Sequence, residues 1–81
     1  MDQRIGVVAI VVEEFSRAQA VNQILHDFGS LIVGRMGIPY REKDIFVISL
    51  ILDGTNEDIS ALTGKLGNVK NVTVKAALTK K

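Results

Sequence analysis

The side chains able to do chemistry are few. His26 is the sole histidine, and a lone imidazole supplies neither a metal cage nor the base of a Ser-His-Asp set. Its spacing, one position past Leu25 on an amphipathic stretch, reads as a solvated or partly packed helix residue. The carboxylates Glu13-Glu14, Asp44 and Glu57-Asp58 each fall at a strand end or a helix start, where solvation and the helix dipole account for them without a general acid/base pair. With zero cysteines the chain has no thiolate nucleophile, no disulfide and no thiolate metal site. The unusual segment is Gly34-Arg35-Met36-Gly37-Ile38-Pro39-Tyr40. Two glycines three apart weaken a strand and point to a bulge or to close approach by another backbone or a ligand. Arg35 between them offers a planar fork to a carboxylate or phosphate, or to an ion pair across a subunit boundary. Gly34, Arg35, Gly37 and Tyr40 are the candidate ligand-binding residues, with Tyr40 as a hydrogen-bonding wall. Gly64-Lys65-Leu66-Gly67 lies near a helix end rather than between a strand and a helix, so it is a loosened helix terminus and not a phosphate loop.

The elements that must position these residues are legible from periodicity. Ile5 to Val12 is a short β-branched run bounded by charges, hence a strand. Ser16-Arg17-Ala18-Gln19 matches a capping box and opens a helix over about Arg17 to Phe28, with Ala18, Val21, Leu25 and Phe28 as its apolar stripe and Gly29 as a stop of positive φ. Leu31 to Ile38 predicts a second strand, ending before Pro39, with Tyr40 to Lys43 as an exposed connection. Asp44 to Asp53 holds a third strand that Gly54 ends. Thr55-Asn56-Glu57-Asp58 repeats the helix-start grammar, Ile59, Leu62 and Leu66 form the second stripe, and Gly67-Asn68 stops it. Val69 to Leu78 alternates Val72, Val74, Ala76 and Leu78 against Asn71, Thr73 and Lys75, as a strand with one wet face does; Lys80-Lys81 is a frayed tail.

Strand, helix, strand, strand, helix, strand is the split βαβ pattern of an α+β, ferredoxin-like βαββαβ fold, with a four-stranded antiparallel sheet and both helices on one face. Its 81 residues make a single domain over 1–81, near the size at which only about 60% of the chain's surface can be buried. The first and third strands carry apolar side chains at both alternating sets of positions, so a second apolar face is left open. Such a face marks an interface, which predicts a homo-oligomer, dimer or tetramer, joined through the open sheet. The competing arrangement is a tilted sheet shielded by the long side chains of Arg35, Lys75 and Met36.

Composition excludes other classes. A net charge of +1 removes the footprint of a stand-alone nucleic-acid or membrane-surface binder. The paired aromatics on which RNA modules of this topology stack bases are missing, since the first strand has none and the third only Phe46. No apolar run approaches the roughly 20 residues of a membrane helix, and no signal peptide is visible, so the expected location is cytoplasmic. No metal, no cofactor and no enzymatic activity are expected.

Three stretches carry a resemblance: Ile32-Val33-Gly34-Arg35-Met36-Gly37-Ile38-Pro39-Tyr40, Val47-Ile48-Ser49-Leu50-Ile51-Leu52-Asp53-Gly54 and Asp58-Ile59-Ser60-Ala61-Leu62-Thr63-Gly64-Lys65-Leu66-Gly67. Together they resemble the family of iron-only hydrogenase system regulators, similar in fold to ACT domains and to the C-terminal domain of nickel-responsive repressors. The resemblance implies an ACT-like regulatory domain that oligomerises and senses a small ligand; the residues themselves make Arg35 the candidate for an anionic group on it. With His26 alone, the nickel site does not carry over. With Glu13-Glu14-Phe15 after the first strand, neither does the glycine-containing turn of amino-acid-binding ACT domains. A helix-turn-helix, ribbon arm and basic patch are all missing, so direct nucleic-acid binding is not expected and any effect on transcription needs a separate DNA-binding partner. The alternative is a ligand-free oligomerisation or docking module for a larger regulatory or hydrogenase-maturation protein.

Overall fold

A computed structural model describes residues 3–79. The chain runs β1 (Gln3–Val12), a 3-10 turn (Phe15–Arg17), α1 (Ala18–Asp27), a second 3-10 turn (Gly29–Leu31), β2 (Ile32–Tyr40), a third (Arg41–Lys43), β3 (Ile45–Thr55), α2 (Asn56–Gly67) and β4 (Val72–Leu78). The four strands form one antiparallel sheet in the order β2-β3-β1-β4. The two uninterrupted apolar runs are its central strands, where both edges are paired and both faces lie inside the sheet's span.

Register sets the core. Val8, Ile10 and Val12 of β1 pair beside Leu50, Ile48 and Phe46 of β3 and beside Ala76, Val74 and Val72 of β4, so this parity points at the helices. Val21 and Leu25 of α1 and Ile59, Leu62 and Leu66 of α2 meet it, and the resulting cluster is almost fully buried. Both sequence stripes thus face the sheet, and at about 1.5–3 kcal/mol per buried Val, Leu or Ile this cluster is what orients the two helices.

The helix starts differ from each other. Thr55 is extended (φ −72°, ψ 157°), and its hydroxyl accepts from the Asp58 amide at 3.1 Å, as the grammar predicts. Ser16 does not cap α1. It lies within the 3-10 turn and donates to Glu14 Oε2 at 2.8 Å, while the residue before α1 is Arg17, already helical (φ −86°, ψ −8°) and without a side-chain cap. A capping box needs an extended residue at the helix entrance. Here the 3-10 turn leads the chain straight in, and the Arg17 amide donates to the Glu14 carbonyl at 2.9 Å instead.

Four other boundaries move. Gly29 has no positive φ, because α1 tightens into the Gly29–Leu31 turn, in which Leu31 N donates to Phe28 O at 3.0 Å. β2 includes Pro39 and Tyr40, since an edge strand tolerates a residue without an amide proton. β3 continues through Gly54, where an added Cβ would sit 2.8 Å from Leu31 Cδ2, so this glycine serves close packing rather than termination. β4 begins at Val72, after Asn71 turns the chain with φ 63°. Asp44 does the same before β3 with φ 55°. Lys80 and Lys81 lie outside the described residues.

Candidate functional site

β2 carries all four candidate residues, and its backbone decides where each one points. Ile32 pairs with Leu52, but Gly34 pairs with Ile51, so Val33 is an extra residue in a bulge. Gly34 marks this irregularity, one of the two outcomes the glycines imply, whereas Gly37 pairs regularly with Ile48. From the bulge onward the parity is reversed. Gly34, Met36, Ile38 and Tyr40 share the face of Ile51, Ser49, Val47 and Ile45, away from the helices. Arg35 and Gly37 share the face of Leu50 and Ile48, toward them. The four candidates therefore divide into two pairs on opposite sides of one edge strand.

On the helix side, Arg35 reaches α1 and donates from Nη2 to Asn22 Oδ1 at 3.0 Å. One hydrogen bond leaves the rest of its donor fork facing outward, because both residues are exposed. Gly37 is where Phe46 crosses the strand, with a Cβ there placed 3.1 Å from Phe46 Cζ. Phe46 stacks on Phe15 with centroids 6.1 Å apart and planes at 9°. Close side-chain approach, without a ligand, accounts for glycine at 37, since any larger residue would push the Phe46 ring aside by a few tenths of an ångström. At 34 no atom lies within 4 Å of an added Cβ.

On the other side lies the open face. Ile5, Val7, Met36, Ile38, Tyr40 and Ile51 are between 43% and 61% exposed, all with the parity that turns from the helices. Ala9, Val11 and Val47 continue the patch, and Lys75 stands at its β4 margin opposite Ala9. Met36 does lie over this face, whereas Arg35, turned to α1, does not shield it. Gly34, Arg35, Met36, Ser49 and Ile51 line a shallow cavity of about 230 Å³ at its β2 rim. Ser49, Ile51 and Asn22 are the site residues that the sequence did not single out; Ser49 and Ile51 follow from β3 parity once the sheet order is known, whereas Asn22 needed the bulge.

The carboxylates are held structurally. Glu14 accepts from Ser16 and from Asn71 Nδ2, and these two bonds, with Arg17 and Lys70 nearby, hold its pKa below the ordinary carboxylate value. Glu13 accepts from Thr73 Oγ1 at 2.8 Å, so the pair ties the end of β1 to the start of β4. Among the described residues no group of three or more His, Asp or Glu side chains could hold a metal ion, and His26 is an exposed residue of α1. The central strands present no aromatic on the open face, since Phe46 points toward the helices. No described helix is long and apolar enough to cross a membrane.

Residues 4–76 match the model of the TM1266-like family, described as "Iron-only hydrogenase system regulator, putative". The chain belongs to that family. The structure of the uncharacterized protein TM1266 from Thermotoga maritima is similar at a TM-score of 0.91 and 40% identity, over 98% of this chain and 100% of that one. The ACT domain of GTP pyrophosphokinase from Chlorobium tepidum is similar at a TM-score of 0.78 and 20% identity, covering 94% of this chain and 100% of that domain. CPII from Thiomonas intermedia K12, a PII-like protein bound to ADP, AMP and acetate, reaches a TM-score of 0.54 at 14% identity, over 100% and 94% of the two chains. No curated protein matches the chain. The last two likenesses establish an ACT-like, ferredoxin-like fold, and family membership places the chain among regulatory proteins.

Proposed function

We propose that this chain is a cytoplasmic sensory domain that works by binding and assembly rather than by turnover, and that it assembles as a homo-oligomer, dimer or tetramer, through the open sheet face. The observation that carries this reading is the run of half-exposed apolar side chains from Ile5 and Val7 across Ile51 to Met36, Ile38 and Tyr40. Their combined exposed area is roughly 500 Å², at the upper end of the largest patch on an ordinary monomer. Two such faces in full contact remove roughly 1,000 Å² of apolar surface, the lower limit for a specific interface.

The ligand is a small anion at the β2 rim. Arg35 supplies the charge, with Asn22 fixing one edge of its guanidinium, while Gly34 keeps the adjacent trough open; Tyr40, on the face opposite Arg35, lies outside this site. Gly37 contributes by letting Phe46 pack under the strand. A ligand there biases the assembly only if it binds one subunit arrangement better than another. Without a DNA-binding motif of its own, the chain reaches transcription of iron-only hydrogenase genes through a separate DNA-binding protein. A native mass spectrum of the purified protein tests both halves of the reading. The expected result is an oligomer with added small-molecule mass that Arg35→Ala loses. An oligomer without added mass removes the ligand and leaves a docking module, and an Arg35→Ala protein that retains the mass moves the ligand away from β2.

A further inference from the structure

The two edges of the sheet are built differently. β2 is blunted by a bulge, two glycines and a proline, which are standard protections against pairing with another strand. β4 has seven regular residues, Val72–Leu78, with no bulge and no proline. Among the described residues, nothing pairs with its outer side. The ladder bonds flanking it, Thr79 N to Ile5 O at 2.9 Å and Glu13 N to Asn71 O at 2.8 Å, show that odd-numbered residues of β4 turn their backbone groups toward β1. The even-numbered residues, Val74 and Ala76 above all, therefore aim N–H and C=O outward.

Those outward groups border a cavity of about 630 Å³ between β4 and the second half of α2, lined on the helix by Ser60, Thr63, Gly64 and Gly67. Neither glycine is needed by the fold. Both lack positive φ, and a Cβ at either meets nothing within 4 Å. Gly64, inside the helix, costs it about 1 kcal/mol relative to alanine, whereas Gly67 is its last residue. Such a cost without an internal cause is explained when another backbone must come close.

Charge selects the visitor. Residues 1–58 hold all nine carboxylates against five basic residues, whereas residues 59–81 hold five lysines and no Asp or Glu. Lys65 is engaged over the Phe28 ring at 5.8 Å, but Lys75 stands exposed at the middle of β4. A second copy pairing antiparallel about that midpoint would bring two Lys75 ammonium groups together, which disfavours self-pairing. Glu13 and Glu14 flank the start of β4, so an acidic visitor fits best from Lys75 toward Leu78. We infer that the free edge of β4 is a docking site for an acidic, extended segment of a partner protein, which adds as a fifth strand beside β4 and lays alternate side chains in the groove along Gly64 and Gly67. The backbone edge and the α2 groove lie outside the open face, and the site meets that face only at Lys75, which stands on its β4 margin.

The test is a titration of isotopically labelled protein with a short capped peptide alternating threonine and glutamate, against a twin carrying lysine for glutamate, read by backbone amide resonances. The expected result is a shift and slowed exchange at the Val74 and Ala76 amides, with the lysine twin weaker by about tenfold or more. Ala76→Pro deletes an outward N–H and no bond to β1, so it abolishes binding while keeping the remaining spectrum. Gly64→Ala raises the melting temperature yet weakens binding. If Ala76→Pro fails to fold, Lys75→Glu replaces it and must exchange the preference toward the lysine peptide. Equal binding of the two peptides, no binding, shifts confined to Val7 and Ile51, or protection of Val74 and Ala76 that grows with protein concentration alone would each overturn the proposal.

Discussion

Val7→Asp separates the open face as an interface from the open face as bare surface. Val7 lies between Ile51 of β3 and Ala77 of β4, and it is 49% exposed, leaving about 80 Å² of its side chain in contact with water. In an isolated subunit the substitution costs strand preference and the buried half of the valine, together about 2–3 kcal/mol of subunit stability. In a face-to-face pair it acts on both copies. The lost apolar burial is then about 4 kcal/mol at 25 cal/mol/Å², before the further cost of taking two carboxylates out of water. Four kcal/mol alone corresponds to a rise of about a thousandfold in the dissociation constant. Sedimentation velocity over a dilution series reads that constant, thermal unfolding of the dilute protein reads subunit stability, and Gln19→Asp on the exposed side of α1 is the matched control. A Val7→Asp protein that associates as tightly as the Gln19→Asp control refutes the reasoning.

Further consequences concern single side chains. Thr55→Ala removes the acceptor for the Asp58 amide and is expected to cost about 1 kcal/mol, seen as a fall of about 4–8 °C in Tm. Gly64→Ala, with no atom within 4 Å of the new methyl, is expected to stabilise by about 1 kcal/mol in a denaturant titration, whereas Gly54→Ala meets Leu31 Cδ2 at 2.8 Å and is expected to destabilise. The hydrogen bonds from Ser16 and Asn71 lower the Glu14 pKa in the folded chain. Their contribution is therefore present above the unfolded-state carboxylate pKa and is lost as pH falls through the lowered folded value. Glu14→Gln accordingly flattens the acid limb of stability against pH, and an unchanged limb would contradict this assignment. Asn22→Ala releases Arg35 from its one hydrogen-bond partner on α1, so it weakens retention of a small anion without changing the oligomer; native mass spectrometry checks both.

Much of the fold could be read because the deciding signals are local. Two β-branched runs with apolar residues at both parities required a central position, and the stripes Val21–Leu25 and Ile59–Leu62–Leu66 named the helix faces that the core uses. The open face followed from the same parity argument. Helix starts show where locality fails. Thr55 and Ser16 carry equivalent motifs, but only Thr55 is reached by extended backbone, and the 3-10 turn that deprives Ser16 of its role leaves no mark in the motif. The candidate site failed to converge for a sharper reason. One inserted residue, Val33, reverses every later side chain of β2, sending Arg35 to Asn22 and Met36 to the open face. Gly34 signals that a bulge is near, but not on which side of it the parity changes. That β4 is an edge follows from the central position of the other two runs, but which of its backbone groups face outward follows only from the ladder to β1.

Sedimentation equilibrium of the unaltered protein at micromolar concentration tests the central claim most directly, because the claim is that the sheet face is covered by a second copy. A dimer or tetramer is the predicted result. A monomer that persists at that concentration, with the apolar face from Val7 to Ile38 exposed to water, would contradict it.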